Sequence, residues 1–269
     1  MELITTHVHT NFCGHAVGTV EEMVAAASAA GITTVAITEH YYLSSAFDER
    51  DYLSMHADRV DEYCAAVEAA REAHPELEVL LGTELDWLGR DEDRTITDDD
   101  LKRFDLILGS VHFVDTWPFD DPAQRDHWQD VGADDIWRRY FELWCDAASS
   151  RTPFTVMSHP DLVKKFGYLP SFNVNTLYSD AACAAQEAQR MIEVNTSGTY
   201  YTCQEMFPAQ DLLREFCRAG IPCTVGTDAH DPALVARDIE KGYRWMYDAG
   251  YRYVTVPTRD GDRRQIEIV

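Results

Sequence analysis

Glycine and proline are sparse in this chain of 269 residues, at 14 and 10, which excludes collagen-like and low-complexity architectures. Its seven cysteines (Cys13, Cys64, Cys145, Cys183, Cys203, Cys217 and Cys223) are odd in number and contain no Cys-x-x-Cys pair. They fit reduced thiols of the cytoplasm rather than a disulfide framework or a thiolate zinc site. Positive charge is scarce too: 23 Lys and Arg against 47 Asp and Glu leave a formal net charge of −24. A field of that sign repels polyanions, so neither a nucleic acid nor an anionic membrane surface is an expected partner. Long apolar runs are missing as well. The longest uncharged stretch, Met23 to Thr38, is broken by Gly31, and the opening Met1-Glu2-Leu3-Ile4 lacks the basic segment and apolar core of a signal peptide. The expectation is a cytoplasmic protein. The same negative field opposes a phosphorylated substrate, so an enzyme acting on one needs a strongly positive local site.

With 45% hydrophobic and 26% charged residues, the composition is that of an ordinary globular chain. Short apolar or β-branched runs fall at Leu3–Val8, Thr33–Thr38, Glu78–Glu84, Asp105–Val111, Phe154–Met157, Met191–Asn195 and Cys223–Thr227, as expected of strands buried on both faces. Helical segments alternate with them. Thr19 and Glu22 form a capping box before an Ala-rich run that stops at Gly31, and Pro208 opens a helix ending at Gly220. Met55–Ala73, Asp134–Ser149 and Thr176–Arg190 read as further helices. Such alternation predicts one α/β domain over residues 1–269, a parallel sheet with enough strands to close into a barrel. The tail breaks the pattern: Tyr251–Pro257 and Arg263–Val269 flank Arg259-Asp260-Gly261-Asp262, a hairpin signal within about 251–269. The acidic stretch Asp91–Asp100 reads as a solvated loop.

Histidines carry the chemical signal. Of ten, His7, His9, His15, His40, His112, His159 and His230 lie at or just beyond the C-terminal ends of predicted strands, whereas His56, His74 and His127 do not. In a parallel barrel those ends form one rim, where active sites are built. In His7-Val8-His9 the two imidazoles point to the same side of an extended strand, and Asp228-Ala229-His230 repeats the spacing with a carboxylate. Glu39, before His40, and Glu84 add carboxylates at strand ends. Neutral imidazoles with a few carboxylates and no nearby thiolate are the donor set of zinc, manganese or iron(II) sites.

Thr6-His7-Val8-His9-Thr10, Thr38-Glu39-His40, Gly109-Ser110-Val111-His112, Ser158-His159-Pro160-Asp161 and Gly226-Thr227-Asp228-Ala229-His230 resemble the successive motifs of the PHP (polymerase and histidinol phosphatase) family of metal phosphoesterases. Asn11-Phe12-Cys13-Gly14-His15, Ser110-Val111-His112-Phe113 and the segment from His159 to Gly167 most resemble the histidinol-phosphatase branch. The resemblance implies a distorted seven-stranded (β/α) barrel with its metal site at the C-terminal rim of the strands, and two to three divalent transition metal ions. Carried over motif by motif, His7, His9 and Asp228 would hold one ion, His112 and His159 a second, with Glu84 bridging both, and His15, His40 and His230 a third. All nine positions are filled.

The implied activity is a phosphoric monoester hydrolase that attacks a small phosphate ester with a metal-activated hydroxide, and in the closest branch the substrate is L-histidinol phosphate, in histidine biosynthesis. Another small ester, such as a nucleotide or cyclic phosphodiester, is the alternative within that class. A non-catalytic metal-binding or regulatory module is the alternative outside it. Asp161 is the candidate for protonating the leaving group or gripping a cationic substrate, or else a partner of a ligand histidine. In the histidinol-phosphatase branch the segment corresponding to Asn195-Thr196-Ser197-Gly198 continues with a basic residue that clamps phosphate; here it reads Thr199-Tyr200-Tyr201-Thr202. Lys164 or Lys165, with Tyr201, are the candidate replacements, one lysine facing phosphate and its neighbour turned away. Trp117, in the loop Asp115–Asp121, is a candidate contact for the substrate's cationic part.

Overall fold

Thr19 Oγ1 accepts from Glu22 N at 3.2 Å while Glu22 Oε2 accepts from Thr19 N at 2.7 Å, so the expected capping box opens the first helix. In the computed structural model, which describes residues 1–268, that helix, α1 (Val20–Ala29), joins β1 (Leu3–Thr5) to β2 (Ile32–His40). There follow α2 (Val60–Ala73), β3 (Glu78–Asp86), α3 (Asp98–Leu101), β4 (Leu106–Ser110), the small hairpin β5 (Phe113–Val114) and β6 (Trp117–Pro118), then α4 (His127–Val131) and α5 (Ala133–Ser149). The chain continues through β7 (Val156–Met157), α6 (Asn175–Glu187), β8 (Met191–Asn195), α7 (Gln210–Arg218), β9 (Cys223–Gly226), α8 (Ile239–Ala249), β10 (Tyr253–Pro257) and β11 (Arg263–Glu267).

Seven strands pair in the order β1-β2-β3-β4-β7-β8-β9, each pair parallel. Thr6 N donates to Val225 O and Asp228 N to His7 O, both at 2.9 Å, and Val8 bridges Ala229, so the last strand returns to the first. The result is the expected distorted barrel of seven parallel strands, nearly closed. Helices cover its outside, with Trp137, Phe141 and Trp144 of α5 fully enclosed among them. No helix among the described residues is long and apolar enough to cross a membrane.

Strand periodicity sets what the barrel encloses. Ala36, Leu80, Leu106, Leu108, Val156 and Met191 form a separate apolar cluster, and they alternate along their strands with residues of the outer core such as Val35, Val79, Leu81 and Ile107. A step of two residues keeps a side chain on one face. Continuing from that apolar floor, the inward positions reach Glu84 and Asp86 on β3, Ser110 and His112 on and after β4, His40 on β2, and Glu193 and Asn195 on β8. The barrel is thus apolar below and ionisable above, without any change of strand register.

Several boundaries differ from the sequence reading. β1 stops at Thr5 rather than Val8, because the chain beyond pairs with β9 only through single contacts. α2 starts at Val60, preceded by a 3₁₀ turn at Ala57–Arg59, instead of at Met55. The acidic stretch is mostly exposed, as expected, yet Asp91 Oδ1 accepts from Thr152 N at 3.0 Å and Thr97 caps the single turn α3. The hairpin β5–β6 and helix α8 were not anticipated. α8 buries Ile239, Gly242, Tyr243, Met246 and Ala249 on one stripe. The terminal hairpin forms as expected over β10 and β11, with Tyr253 opposite Glu267; Val269 lies outside the described residues.

Gly109 faces the outer core, where an added Cβ would lie 2.6 Å from the Phe154 ring. Gly109→Ala is therefore expected to cost about 1–3 kcal/mol through overpacking, read as a lower urea midpoint with an unchanged slope.

Candidate metal centre

Because the extended segment that continues β1 carries His7 and His9 two residues apart, both imidazoles enter the barrel mouth from one side, fully buried. β3 sends Glu84 to the same point, and the turn after β9 brings Asp228 there. His7 Nε2 and His9 Nε2 are 3.0 Å apart. Glu84 Oε2 lies 3.3 Å from each, and Asp228 Oδ1 lies 3.6 Å from the first and 3.3 Å from the second. His40 Nδ1 approaches the same Glu84 oxygen at 3.1 Å. The other Glu84 oxygen faces His159 Nε2 at 3.0 Å and His112 Nε2 at 3.6 Å. Glu84 therefore stands between two groups of imidazoles. His159 and Asp228 have φ of +25° and +52°, a left-handed backbone that side chains other than glycine rarely adopt and that concentrates at functional sites.

Hydrogen bonds behind the rings fix which nitrogen faces the cluster. His7 Nδ1 meets Glu193 Oε1 at 2.9 Å and His112 Nδ1 meets Asp86 Oδ1 at 2.8 Å. A carboxylate only accepts, so each Nδ1 carries the hydrogen and each Nε2 turns its lone pair inward. The same reasoning holds at the mouth. His15 Nδ1 donates to Tyr52 O at 3.4 Å and His230 Nδ1 to Asp228 O at 3.0 Å, leaving their Nε2 atoms 3.1 Å apart, lone pair to lone pair. His15 and His230, with His40, form a triangle of rings 4.9 to 6.0 Å between centroids.

Lone pairs and carboxylate oxygens held this close need a positive charge between them. Burial opposes charge on His7, but Glu193, Glu84 and Asp228 lift its pKa to about 10; burial likewise opposes charge on His112, and Asp86 and Glu84 raise it to about 10. Burial also works against ionised Glu84 and Asp228, yet the neighbouring imidazoles, His7 first, keep both well below the usual carboxylate range. By contrast, burial and the nearby His9 push His230 down to about 4 and His40 well below its ordinary value. Protonation is therefore favoured in the inner group and disfavoured in the outer one. Metal ions fit both. Donors placed tetrahedrally at about 2.0–2.1 Å from zinc are about 3.3–3.4 Å from one another, close to the 3.0 to 3.6 Å separations among His7, His9 and Asp228 and to the 3.3 Å from Glu84 to each of the two imidazoles. The buried Oε2 of Glu84 and Nδ1 of His159 have no hydrogen-bond partner in the protein.

A cavity of about 380 Å³ opens above these groups, and its wall distinguishes the remaining candidates. Lys165 lines it, its Nζ 2.8 Å from Asp120 Oδ2 and 4.7 Å from the centre of the Tyr201 ring, which lines it too. Asp86 and Asp121 add carboxylates to the wall. Three expectations need correction. Lys164 is buried away from the cavity, because its Nζ is saturated by Asp161 at 3.0 Å, Glu205 at 2.7 Å and the Met206 carbonyl at 2.8 Å. Asp161 does not line the cavity either; its Oδ2 binds Lys164 and accepts from Ala209 N at 2.8 Å. Trp117 packs edge-on against Trp128, 5.7 Å between ring centroids, and His127, at 4.7 Å, rather than facing the cavity.

Behind the donors stand Glu39, named above among the strand-end carboxylates, and two groups that no sequence motif marks, Glu193 and Asp86. Glu193 holds His7 through one oxygen and the backbone N–H of His159, at 2.9 Å, through the other. Gly226 makes room for it, since a Cβ there would fall 1.8 Å from Glu193 Oε1. Glu39 turns outward from His40, accepts from Thr10 N at 2.9 Å and stands 3.5 Å behind His9 Nδ1. The available signal was the two-residue step itself, which puts Asp86 after Glu84 and Glu193 after Met191 on the inward face.

The model of the PHP domain family matches residues 5–201. A protein of Deinococcus radiodurans named "Probable histidinol-phosphatase" is 32% identical over 254 residues, covering 94% of this chain and 96% of its own. One of the same name from Schizosaccharomyces pombe is 24% identical, covering 86% of this chain and 82% of its own. The fold is shared with the histidinol phosphate phosphatase of Lactococcus lactis solved with zinc, L-histidinol and phosphate, at a TM-score of 0.76, 19% identity and coverage of 96% and 97% of the two chains.

Elemental analysis of protein expressed with added metal should find two to three equivalents of transition metal. Glu84→Gln, which contacts both groups of imidazoles, should lose at least one of them; full occupancy in that variant would remove Glu84 from the ligand set.

Proposed function

This chain belongs to the PHP domain family, and on that premise we propose that it hydrolyses L-histidinol phosphate to L-histidinol and phosphate in histidine biosynthesis, as a metal-dependent phosphomonoesterase. The observation that carries the reading is the pairing of charges in one cavity. Its floor attracts cations and, once loaded, attracts phosphate, while its wall carries an ammonium group, Lys165, beside the carboxylates Asp86, Asp120 and Asp121. Histidinol phosphate presents both complements, an anionic phosphoryl group and a cationic amine. No serine or cysteine lines the cavity among the described residues.

We assign His7, His9 and Asp228 to one ion, His112 and His159 to a second, Glu84 to both, and His15, His40 and His230 to a third. When bound, two to three zinc, manganese or iron ions acidify a water toward neutrality and neutralise the phosphate oxygens. The chain's own residues do the rest. Glu193 and Asp86 hold His7 and His112 with Nε2 turned inward. Asp120 steadies the Lys165 ammonium over Tyr201, where it meets the phosphoryl group, and the carboxylates of the wall, Asp121 among them although Arg50 already pairs with it at 3.1 Å, make the field that draws the amine. Residues 1–269 act as one domain, in the cytoplasm, and the charge of −24 keeps nucleic acids and anionic membranes from competing.

Phosphate release from L-histidinol phosphate and from p-nitrophenyl phosphate, before and after chelation, tests the reading. The metal-loaded protein should prefer histidinol phosphate and lose turnover with its metals; equal rates on both esters would leave a less selective phosphoesterase. Lys165→Ala should lower kcat/KM about tenfold or more, the loss of a charged hydrogen bond. Lys164→Ala should instead lower the melting temperature, because it strands the buried Asp161.

A further inference from the structure

We propose that Arg237 grips the phosphoryl group of the substrate from the segment after β9, together with Lys165, and that Tyr200 braces it; this rests on the phosphatase reading above. Sequence and structure converge on it from different sides. The segment after Asn195 carries Tyr200 and Tyr201 and no lysine or arginine before Arg214. The guanidinium of Arg237 lies 4.1 Å from the centre of the Tyr200 ring, over the aromatic face. Arg237 also lines the cavity, with Lys165, Tyr201, Asp228 and His230. Thr196 Oγ1 donates to the Arg237 carbonyl at 2.8 Å, tying the two segments together.

What Arg237 lacks is as informative. It makes no ion pair among the described residues, in a protein with 47 acidic side chains. Its neighbour Asp238 could supply one, but Asp238 Oδ2 accepts from the Tyr200 hydroxyl at 2.8 Å and Oδ1 from Lys241 Nζ at 2.8 Å. The Arg237 Nε is buried without an acceptor. A guanidinium fixed only by its flat face keeps its row of N–H donors free, and that planar fork matches two phosphate oxygens. The other lysine or arginine of the cavity wall, Lys165, is already paired with Asp120. Arg237 is thus the wall cation with donors to spare. The rim segment after β8 thus supplies the aromatic support and the segment after β9 the basic side chain.

Calorimetry of inorganic phosphate and of L-histidinol on the metal-loaded protein tests this. Arg237→Gln should weaken phosphate binding about tenfold or more and leave L-histidinol within about twofold, with metal content unchanged. Arg237→Lys should recover part of the loss, and Tyr200→Leu should weaken phosphate while Tyr200→Phe, which keeps the ring, should do so less. Phosphate affinity within about twofold of the parent in a fully metallated Arg237→Gln overturns the proposal. If the parent protein releases no phosphate from L-histidinol phosphate but its phosphate affinity still depends on Arg237, the substrate assignment fails and the grip stands.

Discussion

Opposed lone pairs are the constraint on which this molecule turns. His15 and His230 point their Nε2 atoms at each other across 3.1 Å, and His7 and His9 do so across 3.0 Å. Three of the rings are held in that pose from behind, His7 by Glu193 and His15 and His230 by backbone carbonyls, while the buried Nδ1 of His9 has Glu39 3.5 Å away and no hydrogen-bond partner. Such an arrangement is repulsive unless a cation occupies the space between. For the half-buried His40 and His230 of the outer group protonation is disfavoured, since desolvation and His9 push both below their ordinary values, His230 to about 4. The fold thus maintains an electrostatic demand that divalent ions meet, and the local positive charge they bring reverses a background of −24.

The barrel supplies the rigidity that this demand requires. Its inward face runs from the apolar floor at Leu80, Leu106 and Met191 to Glu84, Ser110 and Glu193 in steps of two residues. Packing below therefore sets the position of the donors above. Gly226 shows how little slack remains, because even a methyl group there would overlap the Glu193 carboxylate. The left-handed backbone at His159 and Asp228 is a local cost that the surrounding pairing sustains.

Much of this was legible in the amino-acid order. The strands announce themselves by β-branched runs and the rim histidines by their place at strand ends, so the barrel and a rim of imidazoles could be named together, and the family resemblance then narrowed the candidate donors to nine. Distinguishing Lys164 from Lys165 could not be done that way. Adjacent residues share composition and spacing, and only the 3₁₀ turn at Leu162–Lys164 decides that one ammonium enters the Asp161–Glu205 pocket and the other the cavity. Asp161 and Trp117 misled for a related reason: closeness in sequence to His159 and His112 does not aim a side chain at them. Helix α8 was hidden because its apolar stripe is interleaved with Glu240, Lys241, Arg244 and Asp248 and starts behind Asp238 in a left-handed conformation. Arg237 is invisible to any local reading, being joined to Tyr200 only by the return of the chain after β9.

Anomalous diffraction from crystals of the metal-loaded protein, collected on both sides of the metal's absorption edge, tests the central claim most directly. The account predicts one peak among His7, His9, Glu84 and Asp228 and a second among Glu84, His112 and His159. Maps with no anomalous peak at either position, in protein that still hydrolyses its substrate, would contradict it.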